Sequence, residues 1–180
     1  KKGTSQHSAY NLRPNFSDVQ ETHTLAVLVD NEAGVLARVI GLFAGRGYNI
    51  DSLTVAEIDH AENLSRITSV TTGTPQVIEP IKAQLGRIVP VHEVHDLTVD
   101  GLSVERELAL LRVNGKGETR VEALRIADIF RASVVDSTLE SFVFQITGAP
   151  EKIEAFAELL GPLGLSEVAR TGVAALSRGN

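Results

Sequence analysis

Apolar and polar residues alternate with two different periods near the start of the chain. Over residues 23–30 alternate positions form an apolar face with further apolar residues between them, which is typical of a largely buried β-strand. Over residues 35–46 the apolar residues recur every three or four positions, a spacing that predicts a helix with one buried face. This helical stripe consists of Val35, Leu36, Val39, Ile40 and Phe43. Gly45 and Gly47 follow the stripe and predict the end of the helix.

The next elements complete a first structural unit. Strands are predicted over residues 50–57 and 64–72, because two β-rich runs are separated by a polar segment of hairpin-loop length. Thr74 and Pro75 then predict the start of a second helix, since proline is favoured at the first helical position. A last strand over residues 89–96 gives the order βαββαβ.

The same order recurs in the second half. Its predicted elements are a strand over 104–113, a helix from Thr119, strands over 132–138 and 141–148, a helix from Pro150 and a closing strand over 165–176. Thr119 and Glu122 match a capping box, which predicts the start of the first of these helices. The predicted buried stripe of that helix is Val121, Leu124, Ile129 and Phe130.

Two βαββαβ units predict an α+β protein with two ferredoxin-like domains, each an antiparallel sheet covered by helices on one face. The predicted divisions are a polar N-terminal extension over residues 1–22, a first domain over 23–97, a linker over 98–103 and a second domain over 104–180.

Composition narrows the class of protein. Hydrophobic residues make up 43% of the 180 positions and charged residues 22%, within the range of soluble globular proteins. The net charge of −6 opposes binding to nucleic acid or anionic membranes, and no apolar run reaches the length of a membrane helix. The chain has no cysteine, which excludes disulfides and thiolate metal sites and is typical of a reducing compartment. We therefore expect a cytoplasmic protein with no nucleic acid and no membrane as partner.

Motifs for enzyme chemistry do not emerge from the pattern. Residues 92–96 bring two histidines and two carboxylates together, but His92 and His95 are three positions apart on a predicted strand and so face opposite ways. Residues 114–119 place a lysine among glycines, but the position after Lys116 is another glycine, where a phosphate loop needs Ser or Thr. We expect no catalytic residue and no metal site in this chain.

The loop between the first strand and the first helix is suited to an α-amino acid. The helix begins at Gly34, Val35 and Leu36, so their amide groups lack intrahelical acceptors and the helix dipole favours an anion. Gly34 has no side chain to block a carboxylate, and Asn31 can accept a hydrogen bond from an ammonium group. The local pattern fits a purely structural role equally well, with Asn31 as a cap and Gly34 as a turn residue.

Longer segments carry a family resemblance. Residues 30–43, DNEAGVLARVIGLF, and residues 46–55, RGYNIDSLTV, resemble the ACT domain of the regulatory (small) subunits of acetolactate synthase, also called acetohydroxyacid synthase. Further matching segments are residues 64–66, 104–107, 129–131, 167–172 and 176–179. The resemblance covers about residues 23–179 and implies an N-terminal ACT domain followed by a C-terminal ACT-like domain.

The resemblance also implies a function. Such a subunit is noncatalytic, activates a thiamine-diphosphate-dependent catalytic large subunit, and makes that subunit sensitive to a branched-chain amino acid, usually valine. Thiamine diphosphate, Mg²⁺ and FAD are then expected only in the catalytic subunit. The implied partners are that subunit and a second copy of this chain.

The implied effector site lies between two paired ACT domains. Its residues are Asn31, Gly34, Val35 and Leu36 of one chain and Asn49 and Ile50 of the other. Pairing of two sheets along the strand that starts near Ile50 fits this arrangement, because it covers open sheet edges and brings Asn49 toward the partner's loop. The alternative function is a free-standing ACT-type amino-acid sensor that acts on another enzyme or on a transcription factor.

Overall fold

The computed structural model describes residues 19–46 and 48–179. The elements of the first half are β1 (Glu21–Asp30), α1 (Val35–Ala44), β2 (Asn49–Asp59), β3 (Leu64–Gly73), α2 (Pro75–Leu85) and β4 (Val91–Asp96). Those of the second half are β5 (Ser103–Asn114), α3 (Glu118–Ile129), β6 (Ser133–Ser137), β7 (Ser141–Gly148), α4 (Pro150–Leu160), a 3-10 turn (Gly161–Leu163), β8 (Leu165–Arg170) and β9 (Ala174–Ser177). The predicted order βαββαβ is confirmed in both halves.

Each half forms an antiparallel sheet with two helices on one face. The first sheet has the strand order β2-β3-β1-β4 and the second has the order β6-β7-β5-β8, so β2 and β6 lie at sheet edges. In the first core, Leu25 and Val27 of β1 belong to one cluster with Val39 and Phe43 of α1, and all four are at most 1% exposed. The protein is therefore α+β with two ferredoxin-like domains, as predicted.

The strand bounds mark the region between the two sheets. β4 ends at Asp96 and β5 begins at Ser103, so the linker lies between the two sheets. β1 begins at Glu21, and the last two residues of the predicted polar extension therefore belong to the first sheet. The predictions for residues 1–18 and for Gly47 lie outside the described residues; α1 ends at Ala44. In the described part of the chain, no helix is long and apolar enough to cross a membrane.

The start of α3 differs from its prediction. The helix begins at Glu118, with Gly117 as its N-cap, so Thr119 lies inside the first turn. The Thr119 hydroxyl donates to the Lys116 carbonyl at 2.9 Å. The capping box predicted from Thr119 and Glu122 is therefore wrong, because the helix begins two residues too early for Thr119 to cap it.

The buried face of α3 also differs from the predicted stripe. Val121, Leu124 and Ile129 are 67%, 39% and 62% exposed, and only Phe130 of the predicted residues packs against the second core. The buried residues are Ala123, Ile126 and Ala127. These three also follow helical spacing, and the small alanines allow a close approach to the sheet. The predicted stripe omitted Ile126 and the two alanines and so selected the wrong face.

The predicted closing strand over residues 165–176 is in fact two strands. β8 pairs with the later part of β5, whereas β9 pairs with its first residues, from Ser103 opposite Ser177. Between them, Gly172 has φ 89°, a left-handed conformation in which an extended strand cannot continue. The chain therefore leaves the line of β8 and turns toward the first domain, where β9 pairs with the start of β5.

Residues 171–177, named here the terminal segment, pack on the face of the first sheet that its helices leave open. Val173 and Ala175 contact Ala26 of β1 there, and all three are at most 5% exposed. Arg66 of β3 donates from Nη2 to the Ala175 carbonyl at 2.8 Å. The two domains are thus joined by packed side chains and hydrogen bonds in addition to the predicted linker.

Candidate functional site

The N-terminus of α1 lies at the surface. Gly34 is the N-cap and has φ 85° and ψ −9°, a left-handed conformation that other residues rarely adopt. A Cβ built at Gly34 would meet no atom within 4 Å. Val35 is directed into the core with 4% exposure, whereas Leu36 is 37% exposed. Gly34 and Leu36 therefore border open space at the first turn, whereas the side chain of Val35 is buried in the first core.

The amide groups at this helix end are only partly used by the backbone. The Val35 N–H donates to the Glu32 carbonyl over 3.4 Å, a long hydrogen bond, and the Arg38 N–H donates to the Gly34 carbonyl at 3.1 Å. The amide of Leu36 lies between them, at the positive end of the helix dipole. No acidic residue occupies the first turn. This end of α1 is suited to a carboxylate.

Asn31 is held at the end of β1 by the hairpin that joins β2 and β3. Its N–H donates to the Asn63 carbonyl at 2.8 Å, and the Asn63 side chain donates to the Asn31 carbonyl at 3.4 Å. The Asn31 side-chain amide donates to Glu57 Oε2 at 3.4 Å, which leaves Asn31 Oδ1 as an acceptor. The loop therefore presents amide and carboxylate oxygens that suit an ammonium group.

Asn49 and Ile50 begin β2 at the end of the sheet away from this loop. Asn49 lies opposite Thr72 of β3, whereas Asp30, which precedes the loop, lies opposite Leu64. At ~3.4 Å per residue, the distance along β3 from residue 64 to residue 72 is about 27 Å. One chain therefore brings together the loop residues of the predicted site but not the two residues of β2.

Asn49 is presented at the sheet edge by contacts with its own chain. Its side-chain amide donates to Asp51 Oδ1 at 2.5 Å, and its carbonyl accepts a hydrogen bond from the Thr71 hydroxyl at 2.8 Å. Ile50 is partly buried against the first core. Asn49 is thus exposed and held in a defined orientation.

Two residues beside the loop are absent from the predicted site. Asn63 supports the Asn31 backbone and has φ 55°, which asparagine tolerates better than most residues. Its place in a polar hairpin segment is a signal that could have identified it. Glu57 accepts a hydrogen bond from the Asn31 side chain. No local sequence pattern predicts this contact, because only the pairing of β2, β3 and β1 brings Glu57 to the loop.

A buried charged group lies at the opposite end of β1. His23 is 6% exposed, with its ring nitrogens 2.6 Å from Asp96 Oδ2 and 2.9 Å from Glu21 Oε2. Burial disfavours the imidazolium, but the two carboxylates outweigh burial and raise the pKa of His23. Burial also disfavours the charged form of Asp96 and would by itself raise its pKa. Hydrogen bonds from Lys82 and His23 outweigh burial and lower the pKa of Asp96. These contacts secure the end of β4, where the linker begins.

His92 and His95, considered above for a shared ion, contact different carboxylates. His92 Nε2 lies 2.5 Å from Asp30 Oδ1, and His95 Nε2 lies 2.9 Å from Glu93 Oε2. Among the residues that the structure describes, no three His, Asp or Glu side chains are grouped so as to hold a metal ion.

Two known protein families match this chain. The family described as "AHAS small subunit-like ACT domain" matches residues 25–93. The family described as "Small subunit of acetolactate synthase" matches residues 106–179. The two matched regions correspond to the two domains.

Individual relatives match along most of their length. A probable acetolactate synthase small subunit from Archaeoglobus fulgidus is 46% identical over 158 residues, which cover 88% of this chain and 98% of the relative. The acetolactate synthase small subunit of Mycolicibacterium smegmatis is 42% identical over 164 residues, covering 91% and 95%. A crystal structure of the acetolactate synthase small subunit from Thermotoga maritima has a TM-score of 0.76 and 38% identity, over 89% of this chain and 99% of that one.

Proposed function

This chain belongs to the family of acetolactate synthase small subunits, and on that premise we propose that it binds a branched-chain amino acid, foremost valine, and reports its presence to the catalytic subunit. Without the effector the chain activates the catalytic subunit, and with the effector it lowers that activity. The chain itself is noncatalytic. Thiamine diphosphate, Mg²⁺ and FAD belong to the catalytic subunit in this proposal.

The open N-terminus of α1 is the observation that carries the proposal. A carboxylate fits beside Gly34, where no side chain intrudes, and the Leu36 amide and the helix dipole favour its charge. The ammonium group of the same molecule would bond to Asn31 Oδ1, with the Glu57 carboxylate nearby. Half-exposed Leu36 offers an apolar surface to a branched side chain.

A homodimer completes the site. β2 is an edge strand with an exposed row of backbone groups, and its side chains Val55 and Ile58 are 47% and 53% exposed. Antiparallel pairing of two β2 strands about a twofold axis would place the start of one strand beside the end of the other. The end of β2 adjoins the loop, because Asp59 and Asp30 both lie opposite Leu64. The partner's Asn49 would then reach the loop that its own chain cannot reach.

Acetolactate formation from pyruvate tests the regulatory role. We expect no turnover by this chain alone, a higher rate when it is added to the catalytic subunit, and a fall of that rate with valine. Calorimetry on the isolated chain should rank valine, leucine and isoleucine, whose affinities in an apolar pocket differ by about 1 to 3 kcal/mol per methylene. Isobutylamine and 3-methylbutanoate are matched controls, because each keeps the branched side chain and lacks one charged end of valine.

The outcomes separate the candidate functions. Turnover by the isolated chain would contradict the noncatalytic assignment. Valine binding without any effect on the catalytic subunit would favour the free-standing sensor. Binding of 3-methylbutanoate as tight as that of valine would show that the ammonium contacts at Asn31 contribute nothing.

A further inference from the structure

Two hydroxyl groups of β2 hold the backbone of the terminal segment. The Val173 N–H donates to Ser52 Oγ at 2.8 Å, and the Thr54 hydroxyl donates to the Val173 carbonyl at 3.1 Å. Both backbone groups of one buried residue are thus satisfied by side chains from the other domain. Ser52, Thr54, Gly172 and Val173 are named here the latch.

Gly172 allows the close approach on which the latch depends. A Cβ at this position would lie 2.9 Å from Thr54 Cγ2, 3.1 Å from Ser52 Oγ and 3.2 Å from the Leu53 carbonyl oxygen. The last of these is backbone and cannot rotate away. The φ of 89° at Gly172 is itself a conformation that favours glycine. Any side chain here would push the terminal segment away from β2.

The second domain holds the latch firmly from its other side. Arg170 donates to both carboxylate oxygens of Glu107, at 2.9 Å and 2.8 Å, and to Glu154 at 2.8 Å. The Thr171 N–H donates to the Leu108 carbonyl at 3.0 Å. A bidentate guanidinium pair and a backbone bond fix the residues immediately before Gly172, so a displacement of the latch would be passed to β5, β8 and α4.

Ser52 and Thr54 of the latch lie on β2, the strand whose first residues, Asn49 and Ile50, belong to the proposed effector site. Ser52 follows Ile50 by two residues, a distance of roughly 7 Å along β2. Backbone pairing with β3 continues on both sides of a register irregularity between Ile50 and Ser52, so one paired strand links the two positions. We infer that the latch couples the effector site to the second domain: closure of Asn49 and Ile50 on an effector shifts β2 and, through Ser52 and Thr54, the terminal segment. This inference rests on the proposed function.

The double variant Ser52→Ala/Thr54→Val removes both hydroxyls and keeps the strand. The matched control is Ser166→Ala/Thr119→Val, which removes hydroxyls that bond to carbonyls within the second domain only. Two measurements are compared: the valine dissociation constant of the isolated regulatory chain, and the valine concentration for half inhibition of the holoenzyme. We expect the ratio of the half-inhibitory valine concentration to the valine dissociation constant to be about fivefold or more higher in the latch variant than in the unmodified protein. This is the usual scale of allosteric coupling. The control should change neither.

Two further variants separate coupling from damage to the fold. Thr54→Ser keeps the hydroxyl and should retain the coupling that Thr54→Val weakens. Gly172→Ala should uncouple inhibition from binding, whereas Gly117→Ala should not, because Gly117 also has a positive φ of 61° but has no atom within 4 Å of a built Cβ. Thermal unfolding confirms that each protein is folded.

Each outcome of these experiments decides whether the latch has the proposed coupling role. If the unmodified holoenzyme responds to valine and the latch variants respond identically, the coupling role is overturned and the proposed function stands. If the double variant loses valine binding in the isolated chain, these residues belong to the binding site, and the coupling role is again overturned. If the unmodified chain binds no branched-chain amino acid, the proposed function fails and the latch has nothing to transmit.

Discussion

The two domains share a topology and even a detail of their first loops. In each, a strand leads through a loop to a glycine with positive φ that caps a helix, Gly34 with 85° before α1 and Gly117 with 61° before α3. A Cβ at either glycine would meet no atom within 4 Å. The sign of φ and the free space at the cap therefore do not distinguish the two loops, although ψ is −9° at Gly34 and −129° at Gly117.

The charge carried by the first helical turn distinguishes the two loops. α3 carries Glu118 in its first turn, whereas α1 has no acidic residue there. Lys116, the cation of the second loop, lies 2.8 Å from Glu140 and is already paired. An anion approaching α3 would meet a carboxylate at the helix end where the dipole would otherwise attract it. Of the two first turns, only that of α1 is free of an acidic side chain, and we therefore expect this helix end to be the one that suits a carboxylate ligand.

The largest expected effect comes from placing that charge in the first loop. Gly34→Asp would put a carboxylate where the carboxylate of valine should bind, so repulsion and lost space both oppose binding. We expect the valine affinity to fall by at least about a hundredfold, or about 2.7 kcal/mol, measured by calorimetry. Valine inhibition of the holoenzyme should disappear with it.

Gly34→Ala is the matched control, because it adds the same backbone strain without a charge. Its affinity for valine should lie much closer to that of the unmodified chain. Full valine inhibition in Gly34→Asp would place the site elsewhere. An equal loss in both variants would attribute the effect to backbone strain.

The edge strands provide a second contrast. Val55 of β2 and Val135 of β6 are 47% and 52% exposed, and each lies on the edge strand of its own sheet. Val55→Lys should dissociate the dimer and weaken valine binding, because two lysines would meet near the twofold axis. Sedimentation measures the change, and Val135→Lys is the control. A dimer lost only in Val135→Lys would mean that the second domain forms the interface.

A smaller effect is expected at the start of β2. Asn49→Ala removes a hydrogen bond to a charged effector group, at a cost of about 1.5 to 3 kcal/mol, so calorimetry should show an affinity roughly ten- to a hundredfold lower. Asn114→Ala, at the end of β5 in the second domain, is the control and should leave affinity unchanged. Unchanged binding in Asn49→Ala would remove β2 from the site.

The smallest effect concerns pH and the buried charges of the domains. The folded state raises the pKa of His23 above its usual 6.5, so its stabilisation is complete below about pH 6.5 and is lost as pH rises through the folded pKa. Asp96 has the opposite sign: its lowered pKa stabilises the fold above about pH 3.8 and fails as pH falls through the folded value. In the second domain, hydrogen bonds to Glu107 raise the pKa of Arg170, which stays charged throughout.

Thermal unfolding from about pH 5 to about pH 9 would reveal this contrast. The unmodified chain should lose stability on the alkaline side, and His23→Gln should flatten that part of the curve. An identical slope in His23→Gln would assign the loss to other groups.

Much of the fold could be predicted because strand and helix periods are local. The stripe of α1 and the alternation of β1 identify their elements, and Val35, Val39 and Phe43 are buried as expected. For α3, helical spacing allowed two faces, and the choice of Ala123, Ile126 and Ala127 depended on how closely the helix packs on its sheet. Periodicity indicates that a helix forms, but two stripes of similar spacing require the partner surface to decide between them.

The residues of the candidate site also form two groups, those that the local sequence identifies and those that only strand pairing places. Gly34 and Asn31 could be identified from the strand, glycine and helix that follow each other in the chain. The separation of Asn49 from the loop by the length of a sheet follows from strand order and register, which no local pattern states. The same holds for Glu57, which reaches Asn31 only across the paired strands.

Local chemistry in the chain was sufficient to determine the two βαββαβ units, a glycine at the turn before α1 and the family to which the protein belongs. Contacts between distant residues decided that the terminal segment leaves the line of β8 and packs on the first domain, and that Val173 meets Ser52 across 121 positions. Hydrophobic period and turn preference act over a few residues, so they specify elements. The placement of Gly172 against β2 depends on the packing of two finished domains, which only the tertiary structure contains.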